Sequence, residues 1–210
     1  MNMLRLVVIF TLLSCALSAV HAFHTTEVPP LVDVPVWSMA TRNEDGSTNF
    51  NILTYATPVA IIPDRLYCLG LFKKTKSYEN FCRERKCVLL LLTDKHIPYV
   101  RLLGGKSGKD VDKEAECAKL GILSDPGFTL QEIDDDTSTP KVLPSCAYYL
   151  KLSAVGDITE GGESHDIAIC KVDEMLLPGD GDYVANSEEY LSTAKLRALG
   201  IITEQGRIAE

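Results

Sequence analysis

The chain lacks several things that would define its chemistry outright. It has no C-x-x-C pair, no two histidines at metal-ligand spacing and no 20- to 50-residue repeat, which excludes a zinc framework and a solenoid. It has no basic excess: 21 Lys and Arg stand against 29 Asp and Glu, so the net charge of −8 argues against a nucleic-acid partner. Aromatic residues make up 7%, with a single Trp, yet 46% of the 210 residues are hydrophobic, enough for the core of one domain.

Catalytic motifs are missing as well. Gly105-Lys106-Ser107 ends like a P-loop, but Val100 stands where the first Gly of that loop belongs. The same stretch is no nucleophile elbow, because Lys109 replaces its last Gly. Asp180 and Asp182 lack the remaining ligands of an EF-hand, and His24, His96 and His165 are scattered singly.

What is present begins with a leader. Arg5 precedes an apolar run from Leu6 to Leu17 and small residues up to Ala22, the pattern of a secretory signal peptide and too short for a comfortable membrane span. Residues 1–22 are thus expected to be removed, 23–33 to form an N-terminal extension or short transit segment, and 34–210 to form the domain. The location this implies is the secretory pathway or the exterior, with no membrane attachment after cleavage. Ala22-Phe23 also resembles the junction of plastid presequences that follow a signal peptide, although Glu27 and Asp33 are unusual in such segments. Six of the seven cysteines would remain, at positions 68, 82, 87, 117, 146 and 170, as disulfides or as buried free thiols.

Extended patterns predict strands over 34–42, 48–60, 66–72, 147–155 and 165–177, and a continuous apolar run predicts one over 87–93, with Asp45-Gly46 in the first turn and Gly161-Gly162 in the last. Helices are expected over 77–85, capped by Ser77; over 110–120, stopped by Gly121; and over 187–199, capped by Ser187 and stopped by Gly200. Strands that cluster early and late around inserted helices indicate a mainly β, α+β domain on an antiparallel sheet or barrel.

Two clusters in the first half could hold an oxyanion: Thr41-Arg42-Asn43 at a strand end and Lys73-Lys74-Thr75-Lys76-Ser77 at a helix start, where hydroxyls, cations and free backbone N–H groups converge. A solvated basic turn with a helix cap is the simpler reading of the same residues. Between them, the strand Asn49-Phe50-Asn51-Ile52-Leu53-Thr54 offers amides beside apolar residues, a surface suited to a planar heteroaromatic ring or merely a polar strand face.

The run from Ser38 to Asn51 and the segment Thr54-Tyr55-Ala56-Thr57-Pro58-Val59 resemble the flavin reductase-like family of FMN-binding split barrels. Lys74 to Phe81 is similar to its phosphate-side segment, Gly162 to Val172 resembles its Gly-Asp-His strand with Ser164 inserted, and Leu196 to Ile202 resembles its closing helix. The resemblance implies a six-stranded antiparallel split β-barrel of Greek-key type with peripheral helices, a homodimer, and FMN near the subunit interface. By position, Thr41, Arg42, Lys74, Thr75 and Ser77 would hold the phosphate, and Asn51, Thr54, Tyr55 and Ala56 would line the isoalloxazine. His165 would be the catalytic residue, orienting a nicotinamide from NAD(P)H for hydride transfer, because the cofactor carries the chemistry. With no Rossmann fingerprint, the nicotinamide would stack directly on the flavin. A non-catalytic FMN-binding or electron-transfer protein, and a secreted disulfide-linked structural module, are the other readings.

Overall fold

The computed structural model describes residues 27, 30–124, 128–178 and 190–209. The contacts divide the chain after Leu31, and the sheet and helices belong to the unit Val32–Glu210. The leader, the Ala22-Phe23 junction and Ser187 lie outside the described residues.

Eight antiparallel strands form one sheet: β1 (Trp37–Arg42), β2 (Thr48–Leu53), β3 (Ala56–Ala60), β4 (Leu66–Phe72), β5 (Lys86–Leu91), β6 (Tyr148–Ala154), β7 (Thr159–Glu160) and β8 (His165–Leu176). Their order is β2-β1-β5-β6-β8-β4-β3, with β7 attached to β8. β2 and β3 stand at opposite ends of this order, yet only Thr54 and Tyr55 separate them in the chain. A link that short spans at most about 11 Å, so the sheet must curl until its ends meet. No ladder joins β2 to β3 in the strand pairing. The result is the expected split barrel, with eight strands rather than six because the single stretch read over 48–60 breaks in two and β7 is added.

Alternation sorts the side chains of β1 and β5 into two cores. Trp37, Met39, Cys87, Leu89 and Leu91 join Leu69, Leu71, Leu150, Leu152, Ala168 and Cys170 inside the curl. Val36, Ala40, Val88 and Leu90 point the other way, against Phe50, Tyr99, Leu103 and Leu196. Both faces of these strands are buried, which explains why β5 reads as a continuous apolar run. All six described cysteines are free, and Cys87, Cys117, Cys146 and Cys170 are buried.

The helices differ from expectation in instructive ways. α1 spans Lys76–Glu84 and is capped by Thr75, whose hydroxyl accepts from the Tyr78 N–H, so Ser77 is not the cap. A 3-10 helix over Asp94–Tyr99 and α2 over Val100–Gly105 occupy ground with no expected element; Pro98 and the Gly104-Gly105 pair disguised them. Gly104 packs closely, since a Cβ there would lie 3.2 Å from Ile208 Cδ1 and 3.3 Å from Ile52 Cγ1. α3 covers Lys113–Ser124 and runs through Gly121, which therefore is not a stop. A Cβ at Gly121 would fall 2.1 Å from the Phe128 ring, so glycine serves close packing there. α4, Thr193–Ala198, is capped by Ser192, and Gly200 follows it at a φ of 65°, the left-handed conformation of a helix stop.

Candidate functional site

The polar residues at the end of β1 and the start of α1 are brought together, but inside the barrel. Thr41 and Asn49 face each other across the β1–β2 ladder on the same side as Met39. The Thr41 hydroxyl donates to Asn49 O at 3.5 Å and accepts from Asn80 Nδ2 at 3.2 Å. Asn80 Nδ2 also donates to Asn43 Oδ1 at 2.8 Å, and Asn49 Nδ2 donates to Ser77 Oγ at 2.8 Å. Thr41, Asn49, Ser77 and Asn80 are all buried, so this network seats α1 on the barrel end. Thr75 caps α1 and donates to Phe72 O at 2.9 Å. Three of the five expected phosphate residues are thus hydrogen-bonded within the fold.

The other two are differently placed. Arg42 is half-buried, and its guanidinium lies along the 43–47 turn: a Cβ at Gly46 would sit 3.0 Å from its Nη2. Lys74 is exposed. Among the described residues neither makes an ion pair, a state they share with Lys86, Lys95 and Lys106, whereas their neighbours Lys73 and Lys76 both have carboxylate partners.

The expected ring-binding residues gather in part on the outer face. Tyr55, at the split, is 66% exposed. Its ring meets His165 edge to face at 5.6 Å, and His165 packs tilted on Phe72 at 5.2 Å, the residue opposite it on β4. Gly70 makes this possible, because a Cβ there would lie 3.0 Å from Tyr55 Cβ. His165 Nδ1 is 2.9 Å from Ser164 Oγ. Thr54 and Ala56 are half-buried beside Tyr55. Asn51 stands apart, opposite Met39 on the inner face, with its Oδ1 accepting from the Met39 N–H at 3.2 Å.

Asp166 joins the two groups, and the sequence did not single it out. It points inward, one residue on from His165, and accepts from Tyr78 Oη at 2.6 Å while Lys73 Nζ lies 3.0 Å away. The Tyr78 hydrogen bond and Lys73 hold its carboxyl below the usual carboxylate range, and the same bond raises the Tyr78 phenol. The start of α1 is thereby fixed to the start of β8. Its sequence cue is only positional: a carboxylate beside a strand-end His, with Tyr78 one helical position beyond the basic cluster.

No protein-family model and no curated protein matches this chain. Solved structures do. The flavoredoxin of Desulfovibrio vulgaris (Miyazaki F) superposes with a TM-score of 0.61 at 15% identity, over 81% of this chain and 92% of that one. The flavoredoxin from Methanosarcina acetivorans gives 0.60 at 14% identity, over 81% of each chain. An NADH:FAD oxidoreductase of Streptomyces globisporus, in complex with NAD and FAD fragments, gives 0.56 at 12% identity, over 77% of this chain and 81% of that one. At these identities the likeness is one of fold.

Proposed function

We propose that the protein is a flavin-dependent oxidoreductase of the NAD(P)H:flavin reductase type, with FMN as its flavin. The observation that carries the reading is the Tyr55–His165–Phe72 cluster at the barrel split, its Tyr55 exposed and its other two rings half-buried, one turn of chain from a basic helix start, in a fold shared with flavoredoxins and an NADH:FAD oxidoreductase. The residues fit the group. The exposed Tyr55 ring suits a planar ring, and Arg42 and Lys74 are cations without carboxylates, as a phosphate requires. The flavin, when bound, supplies the two-electron chemistry. Tyr55, Thr54 and Ala56 flank its ring, and Asn51 supports the strand behind them. Arg42 and Lys74 hold the phosphate, with Thr75 and Ser77 fixing the helix start and Thr41 the strand end. His165 orients the nicotinamide and exchanges no proton.

The reading includes a two-fold homodimer. β3 is a sheet edge, and Val59, Ile61 and Ile62 beside it are exposed, an apolar strip of the kind a second copy covers. It also includes export through the leader, with a plastid as the other destination. Light scattering that finds an FMN-loaded monomer removes the dimer from the reading.

The central test is anaerobic addition of NADH or NADPH to the FMN-loaded protein, which should bleach the flavin band. Stable flavin that neither nicotinamide bleaches points instead to storage or electron transfer, and no flavin binding at all overturns the proposal. Arg42→Ala and Lys74→Ala should each weaken FMN by about 1.5 to 3 kcal/mol and leave riboflavin, which has no phosphate, nearly unchanged. His165→Ala should slow bleaching severalfold at unaltered FMN affinity.

A further inference from the structure

The end of the barrel away from α1 is rich in aromatic side chains. Trp37 is the first residue of β1, and its ladder partners Leu53 and Leu91 are the last residues of β2 and β5. Tyr148, the first residue of β6, stands opposite Leu91. Tyr67, near the start of β4, meets Trp37 with ring centroids 6.2 Å apart and planes at 81°. All three rings pack on the inner core, and both tyrosines are half-buried, so this end opens to solvent.

Two polar groups here lack good partners. Trp37 is 6% exposed, and among the described residues its indole N–H has no hydrogen-bond partner. An indole nitrogen only donates, so what it lacks is an acceptor, and burying it without one is unfavourable. The second group is Arg65, just before β4, which is exposed and whose Nη1 donates to Met175 Sδ at 3.4 Å. Met175 lies opposite Leu150 of the inner core, so strand parity places Met175, and the guanidinium with it, on the inner rim. The same cation bears on the Tyr67 phenol: burial raises that hydroxyl, and Arg65 opposes the rise. A thioether is a weak acceptor, and the neighbouring carboxylates are engaged elsewhere: Asp64 with Lys171, Glu174 with Lys151 and Asp173 with Ser153.

We propose that this end of the barrel binds an aromatic carboxylate, its oxygens on Arg65 and the Trp37 N–H and its ring against Tyr67 and Tyr148. Both poorly partnered groups are donors and one is charged, which selects an anion with acceptor oxygens; the rings beside them select a flat, apolar body. Met39, Leu69 and Leu89 fill the interior above, so the ligand is small and sits at the mouth. The phosphate cluster lies at the other end of the barrel, and the proposal does not rest on the flavin reading.

Trp37 is the only tryptophan of the chain, so its fluorescence reports on this site alone. Titrating the full chain, without flavin, with benzoate should change that emission saturably, whereas acetate, which has no ring, should not at the same concentrations. Arg65→Gln, a change at an exposed position, should weaken benzoate about fivefold and leave benzyl alcohol, the same ring without the charge, unaffected. Trp37→Phe keeps a ring in place and removes the donor; followed by calorimetry, it should weaken benzoate about tenfold. Saturating FMN should leave benzoate affinity unchanged. No saturable response to benzoate, equal affinity in Arg65→Gln, or displacement of benzoate by FMN would each overturn the proposal. Absence of FMN binding would overturn only the flavin reading, because the tryptophan signal stands without it.

Discussion

Acidification from pH 7 to pH 4 should remove about 3 kcal/mol of folding stability through His96 alone. The ring is buried between two segments: Nδ1 accepts from the Thr93 N–H at 3.1 Å, and Nε2 lies 3.0 Å from Pro144 O, a pattern that fits the Nε2–H tautomer. Cys146 Sγ lies 3.5 Å from Nε2 and gives its own hydrogen bond to Leu143 O; Tyr99 flanks the ring at 6.3 Å, and Lys95 is the nearby cation. Burial pushes the imidazole from 6.5 down to about 4, and the bonds to Pro144 and Thr93 only partly oppose it. A depressed histidine stabilises the fold in its neutral form. The contribution is complete above pH 6.5, falls as the unfolded chain takes up a proton the folded chain refuses, and is gone near pH 4. Urea denaturation across this range should show a steep fall for the wild type and a flatter one for His96→Gln, in which nothing titrates there. Parallel curves would reject the assignment.

Asn80→Ala should cost about 3 kcal/mol, more than a surface change on the same helix, because one amide serves three partners. Asn80 is fully buried; it donates to Thr41 and Asn43, and its Oδ1 accepts from Arg83 Nη1 at 3.3 Å. Removing it strands Asn43 Oδ1 and loosens α1 from β1 at once. Chemical denaturation gives the magnitude, and faster amide exchange in the 43–47 turn should accompany it. A loss below about 1 kcal/mol would mean that water replaces the amide without strain.

Much of this architecture was legible because it is periodic. Alternation and flanking turns are local signals, and they place the strand over 66–72 to the residue and those over 147–155 and 165–177 to within a residue at each end. The break at Thr54-Tyr55 was not, because each half of 48–60 is extended and only its partner, β1 or β4, tells them apart. Thr75 and Ser77 are equally good caps on paper; Asn49, distant in sequence, takes the Ser77 hydroxyl and leaves the cap to Thr75. The candidate site shows the same division. Residue types at 41–43 and 73–77 announced a polar cluster, but strand parity turned Thr41 inward and His165 outward, and parity relative to a core appears only once the sheet has curled. Asp166 and Asn80 draw their roles from partners 88 and 39 residues away, beyond any local pattern.

The sorting of β1 and β5 between two cores also governs which changes of length this chain can accumulate. A residue inserted in either strand would transpose every later side chain to the opposite compartment, sending Leu89 where Leu90 belongs and the reverse. The two compartments differ in shape, and both are filled, so an insertion there is a whole-fold error and not a local one. The 43–47 turn and the acidic 134–139 loop carry no such parity and can lengthen at little cost. Divergence by insertion is therefore channelled to the rims of the barrel, while its central staves keep a fixed count.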